Sequence, residues 1–317
     1  MLFLNIGLLV SLQLVASAAA DTLLEKYFCG VYYPNVSSAL LPPCTVVRDA
    51  TVSDLKDFRS DALPTLSLGD AHKPALFFIH GWPDSAAEFA AQFGGLCYGP
   101  SARYRCVAAT WQNFHPDLPN CEPPNCELGF QGTIDRLATT MKAARLVDTT
   151  LVIHDWGSWI GYQLMWQHPE LMNRTISFDI GQGGHPNTTY QGQNSLAWQT
   201  QDSAPSETSA RWWRAPCVSC ATWRSAWPYD YNVSMRGLAP NKDKPPATVP
   251  LLFFWGNMTR GKPRQADSEF FDAAWLAFVA STPHGKVVSG KGDHWLFHEN
   301  PKLVNSAMIA WLSSLGV

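Results

Sequence analysis

The sequence has little net charge and, after its first twenty residues, no long apolar run. Lysine and arginine total 23, aspartate and glutamate total 26, and the formal net charge of the 317 residues is -3. A balance this close to neutral argues against nucleic acid or an anionic membrane surface as the main partner. Because no later stretch is apolar enough to cross a bilayer, no stable membrane insertion is expected once a leader is removed.

Residues 1–20 contain no lysine or arginine, are apolar from Leu2 to Val15 and end on small residues. A short apolar core with a small-residue end is typical of a cleaved signal peptide. The alternative is an uncleaved membrane anchor. We expect a mature protein that is secreted or resides in the lumen of the secretory pathway.

The cysteines and the glycosylation sequons agree with that route. The eight cysteines are Cys29, Cys44, Cys97, Cys106, Cys121, Cys126, Cys217 and Cys220. An even number behind a leader predicts up to four disulfides. The spacing leaves their connectivity open; pairing of neighbours (29–44, 97–106, 121–126 and 217–220) is the simplest arrangement. N-glycosylation sequons begin at Asn35, Asn173, Asn187, Asn232 and Asn257.

Buried-strand patterns alternate with helical spacing along most of the chain. Strands are predicted over 73–79, 105–110, 151–153, 174–179, 249–255 and 286–289, and helices over 88–93, 132–146, 158–166, 268–280 and 301–315. This alternation predicts an α/β fold with a mainly parallel sheet and helices on both faces. Residues 66–68 are expected at a sheet edge, and Asp84 is expected to cap the helix through 88–93.

Residues 181–248 break the alternation, because they are rich in Gly, Asn, Ser, Pro and Trp. We interpret them as an inserted helical cap. The predicted core then consists of residues 21–180 and 249–317.

One strand passes into a helix within a few residues, at His154-Asp155-Trp156-Gly157. So sharp a bend needs a small residue, which Gly157 supplies. The apex residue is pushed out of the sheet, beside free backbone N–H groups of the new helix. A serine is usual at such an apex, but here the position carries Asp155.

Further polar motifs follow other strand ends, where an open α/β sheet places its ligand site. They are HGWP at 80–83, Asp179, and GDHW at 292–295. A carboxylate at the apex can attack an electrophilic carbon and form an ester, which water activated by His294 then cleaves. Backbone N–H groups of Trp82 and Trp156 are expected to stabilise the oxyanion, each worth about 3 kcal/mol. No metal or organic cofactor is required, since carboxylate and imidazole supply nucleophile and base.

Together HGWP, LVIHDWGSWIGY with HPE following, and GDHW resemble the α/β-hydrolase superfamily. More narrowly, they resemble its epoxide hydrolase and haloalkane dehalogenase branch, which uses an aspartate nucleophile. The resemblance covers residues from about 73 to the C-terminus, excluding most of the cap. It implies the α/β-hydrolase fold, catalytic roles for Asp155 and His294, and a small apolar organic substrate that reacts with water.

The acid that orients the histidine departs from the pattern of many relatives. They carry it after the strand that here reads LLFFWG, but residues 256–259 contain no carboxylate. Some dehalogenases place it at the end of the strand that follows the helix starting at the apex residue. Asp179 lies at that position, 24 residues beyond Asp155. The resemblance therefore implies Asp179. Asp293 is expected to point elsewhere, and Asp267 lies too far into the following segment.

The group that assists the leaving atom separates two reactions. Epoxide hydrolases usually protonate the ring oxygen with two cap tyrosines, and Tyr229 and Tyr231 are the candidates here. Dehalogenases hold halide with indole or amide N–H groups, and many have Asn where this chain has Trp82. We therefore expect epoxide hydrolysis to a vicinal diol, with haloalkane dehalogenation as the alternative. A catalytically silent ligand-binding protein of the same fold is the third reading.

Two further histidines lie within these motifs. His80 is expected to support the oxyanion loop, and His154 to face away from the site.

Overall fold

The computed structural model describes residues 51–52, 61–82, 84–100, 102–115, 118–119, 121, 126–181, 244–259, 262–263 and 270–317. The predicted signal peptide, nearly all of the predicted cap, Tyr229, Tyr231 and Asp267 lie outside these residues. The domain boundaries stay predictions.

Eight strands form one sheet in the described part of the chain, in the order β1-β2-β4-β3-β5-β6-β7-β10. The described strands, including two outside this sheet, are β1 (Thr51–Val52), β2 (Thr65–Leu68), β3 (Ala75–Ile79), β4 (Arg105–Ala109), β5 (Thr150–His154), β6 (Arg174–Phe178), β7 (Leu251–Gly256), β8 (Met258–Thr259), β9 (Lys262–Pro263) and β10 (Lys286–Gly290). β8 and β9 pair antiparallel with each other as a separate two-stranded sheet. All neighbouring pairs from β4 to β10 are parallel, while β2 runs antiparallel to both β1 and β4. The mainly parallel sheet is confirmed. The strand over 66–68 is not at the edge, because β1 pairs with its outer side.

Helices cover both faces of the sheet, as predicted. They are α1 (Ala90–Leu96), α2 (Phe130–Ala143), α3 (Trp156–Gln167), α4 (Ala273–Ser281), α5 (Leu296–Glu299) and α6 (Pro301–Ser314), numbered among the described residues. Successive strand side chains point to opposite faces: Phe78 and Val152 join the apolar cluster under α1, α5 and α6. Phe77 and Ile153 join the cluster under α2, α3 and α4. The central strands are therefore buried on both sides, which explains their continuous apolar sequence.

The prediction that Asp84 caps a helix was wrong. A 3-10 turn, Ala86–Phe89, precedes α1, and the α1 N-cap residue is Phe89 with no side-chain cap bond. The Asp84 carboxyl is instead buried, and one of its oxygens accepts the backbone N–H of Ser85 at 2.9 Å.

Two of the simplest disulfide pairings are confirmed. Cys97 bonds to Cys106 and Cys121 bonds to Cys126. The first bridge joins the end of α1 to β4, and the second closes part of the excursion between β4 and α2. The other four cysteines lie outside the described residues. None of the helices in the described ranges is both long and apolar enough to cross a membrane.

Candidate active site

Asp155 occupies the tip of the turn between β5 and α3, at the centre of the sheet. Its backbone has φ 52° and ψ -128°, a left-handed conformation that costs an L-residue energy and often marks a functional site. Gly157 is needed here for space: a Cβ at this position would lie 2.4 Å from the carbonyl oxygen of Ile79 and 2.5 Å from that of His80. A glycine at this position therefore allows the start of α3 to lie directly against the end of β3.

The loop after β3 supplies a hydrogen-bond donor to the Asp155 carboxylate. Oδ1 accepts the backbone N–H of Trp82 at 2.8 Å, and the carboxylate also accepts the backbone N–H of Trp156. A Cβ at Gly81 would lie 2.4 Å from the Asp155 Cβ, so glycine lets the loop approach this closely. The two tryptophans named from the sequence thus place their backbone donors on one carboxylate.

His294 contacts both Asp155 and Asp179, although it follows Asp179 by 115 residues in the sequence. Its Nε2 lies 3.3 Å from Asp155 Oδ2, and its Nδ1 lies 2.7 Å from Asp179 Oδ2. The Asp179 side chain is only 2 % exposed, whereas those of Asp155 and His294 are 15 % and 13 % exposed. The apex carboxylate and the imidazole therefore face an accessible space, and the second acid supports the imidazole from behind.

Asp179 is held in place by a network that sequence reasoning missed. Its own backbone has a positive φ of 60°, and its N–H donates to the carbonyl oxygen of Phe254 at 2.8 Å. On the adjacent helix α3, the Tyr162 hydroxyl lies 2.7 Å from Ser177 Oγ and donates to the carbonyl oxygen of Ile180 at 3.0 Å. The bend that aims the carboxylate is therefore fixed by hydrogen bonds on both sides. No sequence pattern marked Tyr162 for this contact.

Comparison with solved structures gives the fold a name. A haloalkane dehalogenase loop variant from Bradyrhizobium elkanii is 16% identical at a TM-score of 0.57, over 84% of this chain and 98% of that one. An epoxide hydrolase from Vigna radiata is 14% identical at a TM-score of 0.58, over 84% and 98%. A Bacillus megaterium epoxide hydrolase with an inhibitor is 14% identical at 0.56, over 83% and 100%. The chain has the α/β-hydrolase fold. No family model and no curated protein match its sequence.

The charges of the groups in this site depend on one another. Burial by itself lowers the pKa of His294, but its hydrogen bonds to Asp155 and Asp179 and their negative charges raise that pKa to about 10. Burial raises the pKa of Asp155, but the hydrogen bond and the charge of His294 bring it below its ordinary value. The protonated form of His294 is thus favoured between the two acids, and Asp155 is held in its ionised form.

His80 supports the loop that carries Trp82. Its Nε2 accepts the backbone N–H of Trp111 at 3.1 Å, so its Nδ1 carries the proton and donates to the carbonyl oxygen of Gly81 at 2.7 Å. Burial lowers the pKa of His80 to about 3, which keeps the ring neutral. These contacts agree with the structural role expected from the sequence.

Of the two remaining acid candidates, Asp293 lies within the described residues and Asp267 does not. One oxygen of Asp293 accepts the backbone N–H of Trp295 at 3.0 Å, so this carboxylate caps the start of the next turn, away from the His294 ring.

In the described ranges no group of three or more histidine, cysteine, aspartate or glutamate residues is arranged to hold a metal ion.

Proposed function

We propose that this protein is a hydrolase that acts through a covalent ester on Asp155, with His294 as base and Asp179 as its supporting acid. The observation that carries the proposal is the line of contacts from Trp82 N–H through Asp155 and His294 to Asp179. Nucleophile, base and orienting acid within hydrogen-bond reach of one another are the signature of nucleophilic catalysis. The substrate we propose is an epoxide, and the product is a vicinal diol.

The two oxygens of Asp155 have different surroundings, which assigns them different tasks. Oδ1 is held by the backbone N–H of Trp82, whereas Oδ2 faces His294. In the proposed first step Oδ2 attacks a ring carbon of the epoxide. The new C–O ester bond forms as the ring C–O bond breaks, and the released ring oxygen takes up a proton to become a hydroxyl group. Oδ1 stays behind as the carbonyl oxygen of the ester.

Ester formation converts His294 into a base. The ester is neutral, so His294 loses one of the two carboxylates that raise its pKa to about 10. The proton that leaves the imidazole balances the proton gained by the ring oxygen. The neutral ring then takes a proton from water as the water oxygen adds to the ester carbon. Negative charge develops on Oδ1, beside the N–H of Trp82. The Cγ–Oδ2 bond then breaks, and Oδ2 takes the proton from the imidazolium and leaves as a hydroxyl group of the diol. The water oxygen stays on Asp155, and the new carboxyl returns its proton to His294, which restores the resting site.

Haloalkane dehalogenation is the second candidate, and one specific observation favours it. The acid that contacts His294 is Asp179, which follows β6, the strand where the sequence resemblance implied a dehalogenase-like acid. The carboxylate would attack carbon in the same way and release halide instead of opening a ring. Trp82 supports the epoxide reading, because the resemblance implies Asn at that position in many dehalogenases. The proposed proton donors Tyr229 and Tyr231 lie outside the described residues.

Turnover of two probe substrates separates these readings. Purified full-length protein is incubated with styrene oxide and, separately, with a bromoalkane; diol is measured by chromatography and bromide by ion-selective electrode. Diol without bromide supports epoxide hydrolysis, and bromide without diol supports dehalogenation. If neither styrene oxide nor the bromoalkane is turned over, but one of them is bound tightly and recovered unchanged, the result would support a catalytically silent ligand-binding protein instead. The Asp155→Asn variant is the control for background hydrolysis.

We also propose that the chain follows the secretory route. The Cys97–Cys106 and Cys121–Cys126 disulfides support this, since such bonds persist in oxidising compartments. The sequon residue Asn173 lies on the exposed surface, where its Nδ2 donates to Asp148 Oδ1 at 2.9 Å. N-terminal sequencing of protein from the culture medium of a eukaryotic host tests the proposal. A mature chain that retains Met1–Ala20 would contradict it.

A further inference from the structure

A second histidine and carboxyl group meet behind the nucleophile, in the interior of the sheet. Glu88 lies in the 3-10 turn before α1, and His154 is the last residue of β5, directly before Asp155. Both are fully buried, at 0 % exposure, and Glu88 Oε2 lies 3.2 Å from His154 Nδ1. Polar groups this deep are costly unless every one of them is paired, so the contact needs a physical explanation.

The outer ends of this pair contact two of the loops that form the active site. Glu88 Oε1 accepts the backbone N–H of Gly81 at 3.3 Å, next to the oxyanion donor Trp82. His154 Nε2 lies 3.2 Å from the backbone carbonyl oxygen of His294. One continuous chain of hydrogen bonds therefore runs from the Gly81 N–H in the oxyanion loop, through Glu88 and His154, to the backbone carbonyl of His294.

The protons in this chain can be counted from the identity of the end groups. A carbonyl oxygen only accepts, so His154 Nε2 must carry a proton, and a backbone N–H only donates, so Glu88 Oε1 must accept. The Asp84 and Glu88 side chains also share a hydrogen bond, and burial raises the pKa of Asp84, so Asp84 can donate its proton there. One more proton lies between Glu88 Oε2 and His154 Nδ1. It can reside on the carboxyl, giving two neutral groups, or on the imidazole, giving an ion pair.

The surroundings favour the neutral arrangement. The ring centroids of His154 and His294 are only 4.5 Å apart, and His294 is the cation of the site, so a second imidazolium would be repelled. Burial and the nearby charge lower the pKa of His154 to about 3, and burial together with Asp155 raises that of Glu88. The titratable groups that face the pair are His80, Asp84, Asp155, Asp179, His294 and His298.

We propose that neutral, protonated Glu88 and neutral His154 are positioning residues, which hold the oxyanion loop and the backbone of His294 at a fixed separation on either side of Asp155. This rests on the proposed function. The Glu88 carboxyl donates its proton to His154 Nδ1, and the Nε2–H of His154 donates to the His294 carbonyl. Two loops that are more than 200 residues apart in sequence are thereby tied through β5. The pair adds no net charge beside the nucleophile.

The test compares two replacements of Glu88 that differ in hydrogen bonding. In Glu88→Gln the amide oxygen can accept from Gly81 and the NH₂ group can donate to His154, so kcat is expected within about threefold of the parent. In Glu88→Leu both bonds are lost, the loops shift, and kcat is expected to fall by roughly 10- to 100-fold with little change in KM. An equal loss of kcat in both variants would overturn the proposal that Glu88 is neutral, because the glutamine amide reproduces the hydrogen bonds and the zero charge of a protonated Glu88.

Gln92→Leu is the matched control for the loss of any buried polar side chain. Gln92 lies one turn further along, is fully buried and donates to the carbonyl oxygen of Phe297, outside the chain of bonds described above. We expect this variant to lower the thermal midpoint while kcat stays within about threefold of the parent. A kcat loss as large as that of Glu88→Leu would mean that general core damage explains both, and would overturn the positioning role.

A spectroscopic arm decides the protonation state without any turnover. In protein labelled with ¹⁵N-histidine, the signal of His154, assigned by its loss in His154→Gln, is expected to report a neutral Nε2–H tautomer between about pH 5 and 9. An imidazolium signal at neutral pH would overturn the proposal. Failure of the proposed function appears separately, as absence of epoxide or haloalkane turnover in the parent protein. If Glu88→Leu does not fold, Glu88→Gln and the spectrum still decide.

Discussion

Replacing His294 with glutamine is expected to stop the proposed reaction at the ester on Asp155. Glutamine cannot take a proton from water, and a general base typically contributes between about 10² and 10⁴ in rate. The donor N–H of Trp82, 2.8 Å from Oδ1, is part of the backbone and remains in place. Hydrolysis of the ester should therefore slow by roughly 10²- to 10⁴-fold while the attack on substrate continues.

The same substitution changes the nucleophile, and the sign of that change can be worked out. Burial alone would raise the pKa of Asp155; the hydrogen bond and charge of His294 are the main causes that lower it, and the backbone N–H of Trp156 adds a smaller effect. Without the imidazolium, the pKa of Asp155 rises, and a larger fraction of the carboxyl is protonated at a given pH. Ester formation in the variant should therefore become faster as the pH rises, with its midpoint above that of the parent. The adduct should be sought at mildly alkaline pH first.

The assay is intact-mass spectrometry of the His294→Gln variant after exposure to styrene oxide, followed by peptide mapping. A mass gain of one substrate is expected, on the peptide that contains Asp155. The double variant Asp155→Asn/His294→Gln is the control and should gain nothing. Absence of the adduct despite turnover by the parent, or an adduct on another residue such as Ser158, would refute the ester mechanism.

Three further predictions concern the acid, the elbow and a disulfide. Asp179→Asn should leave the His294 ring without its anionic partner at 2.7 Å and reduce kcat by about 10³-fold, measured by steady-state kinetics; an unchanged kcat would remove Asp179 from the site. Gly157→Ala should lower the free energy of unfolding, measured by urea titration, by about 3 kcal/mol. The reason is that the alanine Cβ would lie 2.4 Å from the carbonyl oxygen of Ile79 in the central strand β3. An unchanged free energy of unfolding would contradict this close approach. Replacing Cys97 and Cys106 together by alanine should cost about 3 kcal/mol in the same titration, since the bridge closes a loop with a sequence separation of 9; a loss below about 1 kcal/mol would argue against that estimate.

Much of the architecture could be predicted because the relevant signals are local. Central parallel strands are buried on both faces, so β3 and β5 appear in the sequence as continuous apolar runs. The elbow has a local signal as well, a strand followed at once by Asp155 and Gly157. The topological rule that ligand sites form at the carboxyl ends of strands then placed His294 and Asp179 at the same edge. Asp84 failed as a helix cap because a 3-10 turn, which has no distinct sequence pattern, stands before α1.

What the amino-acid sequence determined by itself was therefore the order of strands and helices, the apex carboxylate and the set of polar residues at the strand ends. The tertiary structure alone decided which of those residues meet, at what distance and in which protonation state. His294 and Asp179 are 115 residues apart, and Tyr162 and Glu88 carry no motif that announces their partners. The physical reason is that hydrogen bonding and pKa depend on distance and burial, which arise only when separate strands pack side by side in one sheet.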